Sequence, residues 1–88
     1  MVFISRENAA DILTARQAPA AFCESGDTVI FETRDCYDDN DITEENPLGT
    51  KGEKLENPST GPLFVEGAWT GDILKAEIRK IELRDYGI

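Results

Sequence analysis

Histidine is missing from this 88-residue chain altogether. Its absence removes the side chain most often used as a general base near neutral pH, and the commonest zinc ligand. Any catalysis by these residues alone must run on carboxylates, cysteine, lysine or tyrosine. Cysteine is scarce as well: Cys23 and Cys36 are the whole supply, too few for a disulfide framework. Two isolated thiols fit a reducing compartment, and the cytoplasm is the expected location. Long apolar runs are also lacking. Nothing approaches the ~20 apolar residues of a membrane span, and the opening Met1-Val2-Phe3-Ile4-Ser5 meets Arg6 and Glu7 too soon to form the core of a signal peptide. Cations are few, with 9 Lys and Arg against 18 Asp and Glu and a net charge of −9. Such a chain repels phosphate backbones and anionic lipid, so neither nucleic acid nor membrane is an expected partner.

What is present is a short, charged, turn-rich polypeptide. A chain of this size buries only about 64% of its unfolded surface, and 31% charged residues thin the core further. Residues 1–88 are therefore read as a single domain or as part of one. The most regular signal is a turn-then-strand unit that occurs twice. Ser25-Gly26-Asp27-Thr28-Val29-Ile30-Phe31-Glu32 is echoed by Thr70-Gly71-Asp72-Ile73-Leu74-Lys75-Ala76-Glu77. In each, glycine permits the positive φ of a tight turn and aspartate can bond back to the chain. The second unit predicts a long strand over 73–83. Leu74, Ala76 and Ile78 share one parity, and the apolar parity switches near Lys80, which suggests a bulge or a change of packing partner.

Asn8 to Thr14 reads as a strand with a short helix as the rival, and Ala20 to Glu24 as another short strand. Residues 35–57, polar and broken by Pro47, Gly49 and Gly52, read as one long acidic loop. The expected fold class is all-β, an antiparallel β-sandwich or barrel-like domain of roughly five strands.

Several side chains are candidates for chemistry. The acidic run Asp35, Asp38, Asp39, Asp41, Glu44, Glu45 does not match a helix-loop-helix calcium loop: counting from Asp39, the sixth position is Glu44 instead of glycine. A solvated loop is the simpler expectation. Cys36 has Asp35 and Asp38 for neighbours, which oppose thiolate formation. A cysteine, glutamate and lysine trio like that of nitrilase-like enzymes could be sought in Cys36, Glu66 and Lys75, but no local context supports it. Glu66 is the more pointed case. It is a lone carboxylate in Leu63-Phe64-Val65-Glu66-Gly67-Ala68-Trp69, on the parity of Phe64 and next to a glycine that permits close approach. On composition alone, exposure to solvent is the favoured reading.

A resemblance changes that balance. Asn57-Pro58-Ser59-Thr60-Gly61-Pro62-Leu63-Phe64-Val65-Glu66-Gly67-Ala68, followed by Gly71-Asp72-Ile73-Leu74, is similar to the N-P-x-T-G-P-h-x-V-E-G-A-x-x-G-D-x-L signature of the acetamidase/formamidase family, where h is aliphatic. Upstream, Gly26-Asp27-Thr28-Val29 and Glu32-Thr33-Arg34-Asp35-Cys36 resemble that family's G-D-T-V-x-F-E-T-x-D-C segment. The resemblance implies a mostly β enzyme that hydrolyses formamide, acetamide or similar small amides to ammonia and carboxylate, and that forms dimers or larger oligomers. It implies Glu66 and Asp35 as catalytic or metal-binding carboxylates, with Asn57, Thr60 and Gly61 near the substrate. A divalent metal is an open option for the complete enzyme. The family's later histidine- and glycine-rich segments have no counterpart, so the chain reads as the N-terminal portion, inactive alone, with the C-terminal two-thirds absent. The alternative is a non-catalytic β module that self-associates through exposed strand edges.

Overall fold

The computed structural model describes residues 1–40, 42–47, 49 and 55–87. Among them there is no helix. Six short strands carry the regular structure: β1 Val2–Ile4, β2 Ala9–Ala10, β3 Ala21–Cys23, β4 Val29–Phe31, β5 Ser59–Thr60 and β6 Leu63–Val65. All-β is thus what is observed. Among the described residues no helix is long and apolar enough to cross a membrane.

The four longer strands are runs of β-branched, aliphatic and aromatic residues, the types that fit a pleated surface. They pair as β1 with β4 and β3 with β6, both parallel, while β2 pairs with β5 antiparallel. The antiparallel expectation therefore holds for one ladder only. Parallel partners need a long crossover between them. Here the β1–β4 connection carries β2 and β3, and the β3–β6 connection carries β4, the acidic loop and β5. None of the two-stranded ladders closes on itself.

Register fixes which side chains look inward. Val2, Ile4, Ala21, Cys23, Leu63 and Val65 share the covered parity, whereas Phe3, Phe22, Ile30 and Phe64 lie on the open one. β1 packs against β3, and the core is correspondingly small: Ile4, 1% exposed, and Cys23 are its buried apolar residues. Burying Ile4 stabilises the fold by about 2–3 kcal/mol. On the open side Phe22 faces Phe64 across the ladder with ring centroids 5.5 Å apart and planes tilted by 55°, worth about 1 kcal/mol beyond area burial. Both cysteines are free, Cys23 buried and Cys36 exposed.

The two Gly-Asp turns are geometrically alike. Asp27 Oδ2 accepts the Glu24 N–H at 2.8 Å, while the Asp27 N–H donates to the Glu24 carbonyl at 3.0 Å. Asp72 Oδ2 accepts the Trp69 N–H at 2.9 Å, and the Asp72 N–H donates to the Trp69 carbonyl at 3.0 Å. Gly26 and Gly71 adopt φ of 92° and 97°, values that other residues reach only with strain.

Beyond the turns the copies part. The first leads into β4; the second leads into a segment from Ile73 to Arg84 that forms no strand, turn or bend. The predicted strand 73–83 is corrected accordingly. Its sequence suits a ladder, but a strand exists only by hydrogen bonding to a neighbour, and none is offered among the described residues. Asn8–Thr14 shrinks to β2 for a similar reason, because turns at Ser5–Asn8 and Thr14–Gln17 bracket it. Ala20–Glu24 is realised as β3.

Candidate functional site

Asp35 sits in a compact knot of acids and arginines that opens the long loop. Its Oδ1 accepts the N–H groups of Tyr37 and Asp39, each at 2.9 Å, and its Oδ2 accepts Arg84 Nη2 at 2.7 Å. Partial burial pushes the Asp35 pKa upward, but the Asp39 N–H, the Arg84 guanidinium and the Tyr37 N–H together outweigh it, leaving the carboxyl below its ordinary 3.8. The knot closes through left-handed backbone at Asp38 and Asp39, φ 58° and 56°, a conformation that aspartate tolerates better than most residues.

Asp38, near the start of the predicted solvated loop, is buried. Its Oδ1 takes Arg34 Nη1 at 2.7 Å and its Oδ2 takes the Leu55 N–H at 3.0 Å. Arg34 Nε also donates to the Arg6 carbonyl at 2.8 Å, and Arg6 pairs with Asp39. The hydrogen bond to Asp38 outweighs desolvation and holds Arg34 even more firmly protonated. Arg6, Glu7, Arg34, Asp38 and Asp39 line a surface cleft of about 380 Å³. The solvated-loop expectation is therefore corrected at Asp38 and Asn40, both buried; Asp41 lies outside the described residues. Sequence reasoning missed the arginines. The one available signal was the Arg34/Asp38 spacing of four, which the left-handed turn converts into a contact.

Glu66 lies elsewhere. Its N–H donates to the Cys23 carbonyl at 2.8 Å, extending the β3–β6 ladder by one bond. Its exposed side chain lines a second cleft, of about 230 Å³, with Phe22, Cys23, Glu24 and Asp27. Gly67 follows at φ 82° and turns the chain away. The strand parity read from the sequence is the observed one: Leu63 and Val65 half-buried, Phe64 and Glu66 open.

The candidate substrate-side residues link these regions. The Asn57 N–H donates to the Cys36 carbonyl at 3.1 Å, closing the base of the loop, with φ 46° at Asn57. Thr60 Oγ1 donates to the Glu32 carbonyl at 2.8 Å, and the buried Gly61 donates its N–H to the Asn8 carbonyl at 2.9 Å. The fold thus brings Asn57 beside the Asp35 loop and sets Thr60 and Gly61 on the β2–β5 ladder. Glu66 lines the second cleft, whereas Asp35 lines neither. Cys36 and Lys75 line neither of the two clefts. No group of three or more Cys, Asp or Glu side chains among the described residues is disposed to hold a metal ion.

This architecture has a counterpart among solved structures. The chain superposes on the crystal structure of an acetamidase from Bacillus halodurans with a TM-score of 0.72 and 46% sequence identity, over 81% of its own length. The chain is a relative of the acetamidases. It spans 24% of the length of the acetamidase it matches, in keeping with a portion of such an enzyme. No protein-family profile matches the chain, and no curated protein matches it.

Proposed function

We propose that this chain is the N-terminal portion of an amidohydrolase that cleaves small linear amides such as acetamide and formamide to ammonia and the carboxylate. One observation carries the reading: 46% identity to an acetamidase over 81% of the chain. Amide hydrolysis requires an activated water, a proton donor for the departing amine and stabilisation of the oxyanion. Glu66 is assigned the proton transfer. Its cleft includes Phe22, and covering it would exclude water from around the carboxylate. Asp35, held ionised by its donors, orients and stabilises positive charge. Asn57, Thr60 and Gly61 are assigned to the substrate side, with the Asn57 N–H holding the base of the loop and Thr60 and Gly61 tied to the Glu32 and Asn8 carbonyls. The remainder of an acetamidase-length protein supplies the other catalytic groups, a divalent metal among the options.

The complete enzyme is assigned to the cytoplasm, a sandwich or barrel architecture and a homo-oligomer joined through strand edges. The test is ammonia release from acetamide. The 88 residues alone should give none, and in the complete enzyme Glu66→Gln should lower kcat by about 10²–10⁴-fold. Robust turnover by the isolated chain, or an E66Q enzyme as active as its parent, overturns the assignment. The second reading, a self-associating module without catalysis, is favoured by the open ring pair at Phe22 and Phe64. It predicts a dimer in sedimentation and no turnover in any longer form.

A further inference from the structure

The segment from Ile73 to Arg84 is fastened at both ends and, among the described residues, its backbone pairs with none between. At its start stands the locked Trp69–Asp72 turn. At its end Arg84 reaches back to Asp35, 2.7 Å away, and stacks its guanidinium over Tyr86 at 4.5 Å from the ring centroid. Its ion pairs join residues two apart: Glu77 with Arg79 at 3.6 Å and Lys80 with Glu82 at 2.7 Å. Side chains at i and i+2 share a face only in an extended chain, so the backbone already has the course of a strand. The first pair lies on the odd-numbered face and the second on the even-numbered one. That leaves Leu74, Ala76 and Ile78 as an apolar stripe on one face, then Ile81 and Leu83 on the other, all exposed.

An extended segment with free backbone N–H and C=O groups and apolar stripes on both faces is a template for strand addition. We infer that residues 73–83 form a strap that pairs, strand to strand, with a sheet edge in the rest of the acetamidase-length polypeptide. This rests on the amidohydrolase reading above. The occupant follows from proportion: the matched acetamidase has most of its length beyond the part this chain covers, whose share is 24%. The change of apolar face at Lys80 adds a constraint, because the two halves of the strap must meet different layers.

Amide hydrogen exchange tests this on two proteins, the 88-residue chain and a chimera in which it replaces the matched portion of the Bacillus halodurans acetamidase. In the free chain the 73–83 amides should exchange at nearly unprotected rates. In the chimera they should slow by about a hundredfold or more, the range that separates frayed from paired segments. Ala76→Pro, which removes an N–H from the centre of the strap, should return its neighbours to fast exchange. A folded chimera with an unprotected strap overturns the inference. So does concentration-dependent protection in the free chain, which would make a second copy the occupant. If the chimera does not fold, co-expression of the chain with the remaining acetamidase segment replaces it. Recovery of a complex lost in A76P supports the strap, and no complex refutes it. Because exchange is read without turnover, an inactive but protected chimera separates failure of the amidase reading from failure of this one.

Discussion

Two stretches, Glu24–Phe31 and Trp69–Lys75, begin with the same lock and end in opposite states. Both turns hold an aspartate carboxylate on the N–H three residues back, and both place glycine near φ 95°, at 92° and 97°. The first delivers β4 to β1, in register at Val2, Phe3 and Ile4. The second delivers a segment just as rich in β-forming residues to open solvent, with Ile73 95% exposed. The turn therefore aims the chain but does not make the strand. A partner ladder does, and only the first copy has one within these residues.

Substitutions should expose that asymmetry. The largest contrast lies in the apolar side chains. Ile4→Ala, in the small core under the first copy, should cost about 3 kcal/mol and abolish a cooperative urea transition, whereas Ile78→Ala in the strap should move the midpoint by no more than about 0.5 kcal/mol. If the two cost the same, the strap is packed in solution and the contrast fails. Next comes the knot that touches both regions. Arg34→Ala takes the guanidinium from the buried Asp38 carboxylate, which keeps the Leu55 N–H, and should cost about 3 kcal/mol, read by the same denaturation; Arg34→Lys should recover only part of it, since one ammonium cannot serve both Asp38 and the Arg6 carbonyl.

Smaller effects sharpen the point. Gly26→Ala should destabilise the chain by about 1 kcal/mol, and Gly71→Ala, at nearly the same φ, by almost nothing until the strap is paired. Acid should loosen the far end of the strap. The Asp35 pKa is lowered in the folded chain, so its contribution is present above the ordinary carboxylate value of 3.8 and is lost as pH falls through the lowered one. Below that point Arg84 loses its partner and the far end of the strap comes loose. Tyr86 fluorescence should change there, and Arg84→Gln should remove the transition.

Much of the fold was legible because the governing physics is local. Gly-Asp pairs announce their turns, short apolar runs announce β3, β4 and β6, and the Leu63–Glu66 alternation assigns faces correctly. What was illegible depends on distant partners. No local pattern says that Val29–Phe31 chooses Val2–Ile4 in parallel, or that Ile73–Leu83 goes without a mate. The candidate site divides in the same way. Glu66 and Asn57 stand in a continuous signature and could be named. Arg6, Arg34 and Arg84, scattered along a chain with a net charge of −9, converge on Asp35, Asp38 and Asp39 only once the loop has folded.

The unequal cysteines offer a chemical handle. Cys36 is open to reagents while Cys23 lies under the ladders, so a thiol-reactive dye should attach at one position without any mutation. That position is the residue whose carbonyl receives the Asn57 amide, the neck where the acidic excursion leaves and returns. A fluorophore there, read against Trp69 as donor, would report the closing of that neck.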